Sequence, residues 1–179
     1  RAIAQVGYPE ERRRTHSFAT LARIVVGQQI SVSAAASVNT KLLASLGGDL
    51  TAEAVLRADE TTLRSAGLSR QKVEYMRCLA TAEATQVLSL TALPRLSDDE
   101  AIRAITQIKG FGDWSAHMYL MFSLGRPNIW PVGDLAVREG FKRIHGLEER
   151  PTIRQLAELG VPYQPHRSAL AMLCWRFCT

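Results

Sequence analysis

Apolar side chains recur at intervals of three and four residues along almost the whole chain, and strand-like alternation of apolar and polar residues is nearly absent. Such spacing places the apolar side chains on one face of an α-helix. The pattern therefore predicts an all-α fold. The predicted helices cover residues 17–27, 31–46, 51–58, 61–65, 69–88, 98–107, 114–124, 134–144, 152–158 and 165–178.

The ends of these segments carry helix-capping residues. Residues 97–100, Ser-Asp-Asp-Glu, have the pattern of a capping box, and Gly67 and Gly160 stand where helices end. The chain has 179 residues, of which 46% are hydrophobic, and no linker divides it. We expect a single domain over residues 1–179 with two helical lobes and a cleft between them. Both chain ends would form one lobe, and the central helices would form the other.

Two glycines, Gly110 and Gly112, stand two residues apart between predicted helices. Glycine lets the chain reverse through backbone angles that other residues avoid, and it brings backbone N–H groups close to a ligand. The following helix adds unpaired N–H donors and a positive dipole end, and Lys109 and Ser115 offer side-chain donors. This arrangement suits a phosphate of a nucleic-acid backbone. An ordinary turn between two helices explains the glycines alone equally well.

Asp134 follows Pro131-Val132-Gly133 and precedes an apolar-periodic run, which is the position of a helix N-cap. Helix capping is the commonest role of such an aspartate. A carboxylate at a helix N-terminus is also favoured in its ionised form, as it must be to face a developing cation. The structural and the catalytic interpretation are therefore compatible.

Residues 108–116, IKGFGDWSA, followed by Asp134 resemble the helix-hairpin-helix and Gly/Pro-Asp signature of the HhH-GPD DNA glycosylase superfamily, and more particularly its 3-methyladenine DNA glycosylase II branch. Three further stretches agree with that branch, and together the matches span residues 20–175. These stretches are IVVGQQISV at 24–32, GLSRQKV at 67–73 and QPHRSAL at 164–170. The resemblance implies an enzyme of base excision repair. It would rotate an alkylated purine such as 3-methyladenine out of duplex DNA and hydrolyse its N-glycosidic bond.

The resemblance also assigns catalytic roles. Asp134 would stabilise the positive charge that develops on the sugar and orient the attacking water. An alkylated purine already carries a positive charge, so no partner acid is required. Bifunctional relatives form a Schiff base through a lysine at the seventh place of the hairpin motif, where this chain has Trp114, whereas Lys109 occupies the second place. The resemblance therefore implies a hydrolase without lyase activity.

Cys78, Cys174 and Cys178 lack the four-cysteine spacing with which some relatives hold an iron–sulfur cluster. Two cysteines four residues apart are too few for a closed metal site, so we interpret all three as buried thiols. We expect no cofactor and no iron–sulfur cluster. The resemblance does imply a monovalent cation bound by hairpin carbonyls, which here would come from Thr106, Ile108 and Phe111.

Other DNA contacts follow from the same resemblance. Either Gln28 or Gln29 would be the wedge that fills the gap left by the rotated base, although a polar helix end also explains the pair. Lys72, Arg167 and Ser168 are surface residues or phosphate contacts, and the sequence does not decide between the two.

An electron-poor alkylated base would stack on aromatic rings. The aromatic candidates are Trp114, Tyr119, Trp130 and Trp175, and a ring of this kind belongs more often to the core than to a pocket. His166 can stack on the base, contact a phosphate or cap a helix. The residues expected to line the base pocket are Trp114, Met118, Tyr119, Trp130, Leu135 and His166. Three of them, Met118, Leu135 and His166, stand where some relatives carry aromatic residues, which leaves the substrate range open.

The net charge of +5 favours an anionic partner, here double-stranded DNA. No apolar run reaches the length of a membrane span, and an odd number of cysteines fits a reducing compartment. We therefore expect a cytoplasmic monomer, associated with the nucleoid if the protein is bacterial, that does not bind membranes.

Two alternatives remain open at this stage. The chain could be a DNA-binding module without catalysis, in which Asp134 is only a cap. It could also be a glycosylase for another damaged base, such as uracil or an oxidised base.

Overall fold

The computed structural model describes residues 2–8 and 13–178. Within these residues all regular structure is helical and no strand occurs, which confirms the predicted all-α fold. Two short 3-10 turns cover Leu93–Arg95 and Val161–Tyr163. The α-helices are α1 Ala2–Val6, α2 Phe18–Gly27, α3 Val32–Ser45, α4 Ala52–Arg57, α5 Glu60–Ser65, α6 Arg70–Ala84, α7 Asp98–Thr106, α8 Asp113–Phe122, α9 Leu135–His145, α10 Ile153–Leu159 and α11 Arg167–Arg176.

The chain divides into two compact units. The terminal unit consists of Arg1–Arg13 and Leu120–Thr179, and the central unit consists of Arg14–Tyr119. None of the helices in the described part of the chain is long and apolar enough to cross a membrane.

The central unit is built around α2 and α6, which pack against each other. Seven of the ten residues of α2 are buried, as its largely apolar sequence predicts, and Arg23 is exposed. α3 packs on α2, and α4 and α5 pack on α6. The fully buried side chains of this core include Leu21, Val25, Leu42, Leu63, Met76 and Leu79.

Short polar side chains begin most of these helices. In α2 to α7 the N-cap is serine, threonine or aspartate, and its side chain accepts a hydrogen bond from a backbone N–H of the first turn. The capping box predicted from the sequence is present, because Ser97 and Glu100 each bond the other's backbone N–H. These local bonds fix the helix starts close to where the sequence pattern places them.

The terminal unit is organised by a close crossing of α9 and α11. A Cβ on Gly140 of α9 would lie 2.0 Å from the carbonyl oxygen of Cys174 in α11, so only glycine allows this approach. α1 packs on α11 as well. On the other side of α9, the ring of Phe141 stacks on His145 at a centroid distance of 4.2 Å. The crossing sets the position of the N-terminus of α9.

The helix ends differ from the predictions by a few residues, and α1 was not predicted. α1 is five residues long, which is too short for a periodic pattern, and none of its residues is buried. Gly160 does end α10, but its backbone is right-handed helical rather than left-handed. The position requires glycine because a Cβ there would lie 2.2 Å from the indole nitrogen of Trp130.

Candidate active site and nucleic-acid interface

The predicted glycine hairpin connects α7 to α8 in the central unit. Gly110 has a φ of +94°, in the region that favours glycine, and a Cβ there would lie 2.2 Å from the ring carbon Cγ of Tyr75. The turn is closed by a hydrogen bond of 3.0 Å from Phe111 N–H to Ile108 C=O. Both of these side chains are buried and anchor the hairpin. Gly110 is therefore glycine for reasons internal to the fold.

Gly112 has no such internal reason. Its φ lies outside the left-handed region, and apart from its chain neighbours no described atom comes within 4 Å of the position that a Cβ would take. Its carbonyl accepts the first hydrogen bond of α8, from Ala116 N–H at 3.1 Å. Open space beside the start of a helix is what a phosphate needs to approach the backbone N–H groups.

The two side chains predicted to help the hairpin bind phosphate lie in different environments. Lys109 is exposed and forms an ion pair with Glu74 of α6 at 2.5 Å. The hydrogen bond to Glu74 raises the pKa of Lys109, so the ammonium stays charged. Ser115 is buried. Lys109 thus remains available at the surface, whereas Ser115 belongs to the packed face of α8.

The structure distinguishes the two candidate wedge residues between α2 and α3. The side-chain amide of Gln28 donates a hydrogen bond of 2.8 Å to the carbonyl of Gly110. Gln29 is exposed and has a φ of +57°, which is uncommon for a residue with a side chain. The side chain of Gln28 is therefore bound to the hairpin, whereas Gln29 projects from the loop.

Lys72 supports the same loop from α6. Its ammonium donates a hydrogen bond of 2.7 Å to the carbonyl of Val26 in the last turn of α2. Burial lowers the pKa of Lys72. A cation at a helix C-terminus satisfies an orphan carbonyl and opposes the negative end of the dipole. The sequence left Lys72 as a surface charge or a phosphate contact, and the structure gives it this helix-capping role.

Asp134 lies at the start of α9 in the terminal unit, as predicted. Its Oδ1 accepts a hydrogen bond from Val137 N–H at 2.9 Å, which is the N-cap bond. The same oxygen accepts a second one from the indole Nε1–H of Trp175 at 3.2 Å. The Trp175 ring stacks on Phe122 at a centroid distance of 5.9 Å. The carboxylate is partly exposed and held by donors from two helices.

Two residues predicted as DNA contacts instead fasten the loop between α8 and α9. Ser168 is buried, and its hydroxyl accepts from Ile129 N–H at 2.9 Å and donates to Arg126 C=O at 2.7 Å. The guanidinium of Arg167 donates to the side chain and the backbone carbonyl of Asn128 at 2.8 and 3.1 Å. The sequence pattern could not distinguish these internal bonds from contacts with DNA.

Three of the expected pocket residues are accessible. Trp114 and Leu135 are large apolar side chains with 45% and 57% of their surface exposed. His166 is exposed at the start of α11, and its side chain makes no capping hydrogen bond. The helix-capping interpretation of His166 is therefore wrong, because the ring does not accept from the backbone of α11.

The other three expected pocket residues are buried. Tyr119 is fully enclosed, and its hydroxyl donates to Nδ1 of His16 at 2.8 Å, while Nε2 of His16 bonds Leu90 C=O at 2.8 Å. Trp130 donates its indole N–H to Leu156 C=O at 2.8 Å. The remaining buried residue of the three is Met118. These side chains fill the interior of their units, so we assign them no contact with a base.

The cysteines have no partner metal ligands in the described residues, where no group of three or more histidine, cysteine, aspartate or glutamate side chains could hold a metal ion. All three cysteines are free thiols, but only Cys174 is buried. The prediction of buried thiols is wrong for Cys78 and Cys178, which are partly exposed. Burial raises the pKa of the Cys174 thiol to about 12, and the neighbouring Cys178 and Asp134 add to the shift. Burial also raises the pKa of Cys178, whose Sγ lies 3.1 Å from Ala136 C=O.

A sequence profile of the HhH-GPD superfamily of base excision DNA repair proteins matches residues 22–165. DNA-3-methyladenine glycosylase 1 of Schizosaccharomyces pombe is 31% identical over 87% of this chain and 70% of its own length. The DNA-3-methyladenine glycosylase of Bacillus subtilis is 25% identical over 85% of this chain, which spans about half, 54%, of that relative.

The fold is also similar to solved structures of 3-methyladenine DNA glycosylases. The 3-methyladenine DNA glycosylase of S. pombe in complex with abasic DNA superposes with a TM-score of 0.87 at 29% identity, over 97% of this chain and 87% of that chain. A DNA-3-methyladenine glycosidase of Bacillus halodurans also gives a TM-score of 0.87, at 28% identity over 99% of this chain and 87% of its own. This chain therefore belongs to the HhH-GPD superfamily of base excision DNA repair proteins.

Proposed function

We propose that this protein is a monofunctional DNA glycosylase that removes alkylated purines, 3-methyladenine among them, from duplex DNA. The observation that carries the proposal is the Asp134 carboxylate, held at the N-terminus of α9 by two hydrogen bonds to one oxygen. The names of the relatives in S. pombe and B. subtilis support the same activity.

The first step is rotation of the damaged nucleotide out of the base stack, which costs a few kcal/mol and less for a damaged base. We assign Gln29 as the residue that enters the gap, because it is exposed and projects from its loop. Gln28 holds this loop against the hairpin through Gly110. The hairpin itself would grip a phosphate through backbone N–H groups beside Gly112, with Lys109 as an additional cation.

The second step is cleavage of the bond between C1′ of the sugar and the base nitrogen. The bonding electrons leave with the base, and positive charge develops on the sugar. An ionised Asp134 at about 4 Å would stabilise that charge by about 4 kcal/mol at an effective dielectric constant of about 20, which corresponds to a rate gain of about a thousandfold. Water then attacks C1′, and its proton passes to Asp134.

The leaving group explains why one carboxylate suffices. A purine alkylated on a ring nitrogen is already positively charged, so it departs as a neutral base without receiving a proton. Trp114, whose ring is partly exposed, is the residue that we assign to stack on this electron-poor base. Leu135 and His166 are the further accessible candidates for contact with it.

The absence of lyase activity is part of the proposal. Trp114 stands at the position where bifunctional relatives carry the Schiff-base lysine. The hairpin lysine, Lys109, is paired with Glu74. The product would be an intact strand with an abasic site.

We include a monovalent cation site at the hairpin carbonyls of Thr106, Ile108 and Phe111 as a minor part of the proposal. The backbone of this turn can supply oxygen ligands, which suit such an ion. Exchange of potassium for a bulky organic cation at constant ionic strength should then weaken DNA binding. Equal affinity for DNA in both salts would contradict a bound cation at the hairpin.

The proposal is tested by incubating the protein with methylated duplex DNA and identifying released bases by chromatography. Strand integrity is followed on denaturing gels before and after alkali. We expect free 3-methyladenine and strands that break only after alkali. Release of an oxidised base or uracil from suitable substrates, but of no methylated purine, would favour the alternative glycosylase. DNA binding without release of any base would favour a binding module.

A further inference from the structure

We propose that Trp175 is a positioning residue for Asp134, whose indole N–H fixes the plane of the carboxylate that faces the substrate. The inference rests on the proposed function, because it concerns the same carboxylate. It gives Trp175 a hydrogen-bonding role in place of the base stacking considered from the sequence.

The geometry at Oδ1 is the first observation. The N-cap hydrogen bond, from Val137 N–H at 2.9 Å, constrains the carboxyl group about its last side-chain bond, whose rotamer preference is broad. The indole Nε1–H of Trp175 adds a second donor to the same oxygen at 3.2 Å. Because these donors come from α9 and α11, rotation of the carboxylate would break at least one of the two bonds.

Trp175 is itself held in place, which is the second observation. Its ring stacks on Phe122 with an interplanar angle of 27°. The residue before it, Cys174, lies at the close crossing where Gly140 lets the two helix backbones approach. Arg143 of α9 also donates a hydrogen bond of 2.7 Å to Phe177 C=O just after α11. The indole is thus fixed to the helix whose N-terminus carries Asp134.

The consequence is a preorganised charge. A carboxylate stabilises a developing cation best when its orientation is set before the reaction, because no reorganisation is then needed in the transition state. Loss of the indole donor should leave substrate binding intact and slow the chemical step. An error in placement of about 1 Å can cost about a hundredfold in rate.

The test compares Trp175→Phe with Cys178→Ala under single-turnover conditions with excess enzyme on methylated duplex DNA. Trp175→Phe keeps an aromatic ring on Phe122 but removes the N–H. Cys178→Ala removes a different contact with α9, made by Sγ just after the end of α11 to Ala136 C=O. We expect the release rate to fall about tenfold to a hundredfold for Trp175→Phe and to change less than about twofold for Cys178→Ala, with equal affinity for abasic DNA.

A double-mutant cycle separates positioning from general packing. If Trp175 acts through Asp134, Trp175→Phe should have no further effect on the residual rate of Asp134→Asn. An equal slowing in both backgrounds would overturn the inference, as would equal losses in Trp175→Phe and Cys178→Ala. Release by Trp175→Phe at the parent rate would overturn the inference and leave the proposed function standing. No release from the parent protein would overturn both.

Discussion

The side-chain amide of Gln28 donates a hydrogen bond of 2.8 Å to the backbone carbonyl of Gly110, across 82 residues of sequence. The bond joins the loop that presents Gln29 to the hairpin that would grip a phosphate. Lys72 fixes the start of the same loop through Val26. Two segments that the sequence presents as separate motifs are therefore parts of one structural element of the central unit.

This bond predicts that substitution of Gln28 destabilises the fold and that substitution of the adjacent Gln29 does not. Gln28→Ala removes a hydrogen bond to a partly buried carbonyl, so we expect the free energy of unfolding to fall by about 1 kcal/mol. Gln29→Ala changes an exposed side chain and should leave that free energy within about 0.5 kcal/mol of the parent value. Denaturant unfolding of both variants measures the difference.

For the rate of base release, Gln29 should be the more sensitive of the two glutamines. Loss of the wedge removes the side chain that replaces the rotated base, so Gln29→Ala should slow base release from duplex DNA by about tenfold or more. Release from single-stranded DNA, where no stack has to be opened, should change little. A Gln29→Ala variant that is equally slow on both substrates would contradict the wedge assignment.

Substitution of the two hairpin glycines should affect different properties, namely stability for Gly110 and DNA affinity for Gly112. Gly110→Ala brings a Cβ into the ring of Tyr75 and a side chain to a φ of +94°, so we expect a loss of about 1–3 kcal/mol in the free energy of unfolding. Gly112→Ala meets open space and an ordinary backbone conformation, and should be neutral or stabilising by up to about 1 kcal/mol.

DNA affinity should nevertheless fall in Gly112→Ala, since a methyl group would occupy the space through which a phosphate approaches the backbone. Binding to an abasic duplex, measured by fluorescence anisotropy at fixed salt, checks this. Unchanged affinity in a folded Gly112→Ala protein would show that the phosphate does not bind beside this residue.

The local features of the fold could be predicted from the sequence, because helix periodicity and caps involve residues close together in the chain. Asp134 was placed correctly for the same reason, since its N-cap bond goes to Val137. The contacts of Tyr75 with Gly110 and of Trp175 with Asp134 could not be predicted, because they join residues 35 and 41 positions apart. No local spacing identifies such partners.

The same limit explains the revised role of Arg167 and Ser168 at the start of α11. Polar residues at a helix start resemble phosphate ligands in a sequence, but Ser168 is buried against Ile129 and Arg126. Ser168→Ala removes the hydrogen bond made by the buried N–H of Ile129 and one made to Arg126 C=O, so we expect a loss of about 1–3 kcal/mol in the free energy of unfolding.

The salt dependence of DNA binding separates this role from a phosphate contact. Each phosphate contact contributes about one unit to the slope of log affinity against log salt, and a buried structural hydroxyl contributes none. We expect Ser168→Ala to have the parent slope once it is folded, measured by titrations over a range of salt concentrations. A weakened affinity without loss of stability would restore Ser168 to the DNA contacts.

The buried thiol of Cys174 predicts a pH dependence of stability. Burial raises its pKa from 9.0 to about 12, so the folded state favours the neutral thiol. Its contribution to stability is fully present below about pH 9 and is lost as the pH rises towards about 12, because the unfolded chain ionises first. The free energy of unfolding should decline over this interval.

Cys174→Ala removes the titrating group, and the cost of the lost packing is the same at every pH. We therefore expect a shallower decline between pH 8 and pH 10.5 for Cys174→Ala than for the parent in denaturant unfolding. Parallel declines in the two proteins would show that other groups account for the alkaline loss.

Asp134→Asn tests the central claim most directly, because asparagine caps helices as well as aspartate does and keeps an oxygen for Val137 and Trp175. Only the negative charge is lost. We predict parent-like stability and DNA affinity, with a single-turnover release of 3-methyladenine from methylated duplex DNA slowed by about a thousandfold. Release from Asp134→Asn at close to the parent rate would contradict the account, since Asp134 would then be a helix cap and the chemistry would lie elsewhere.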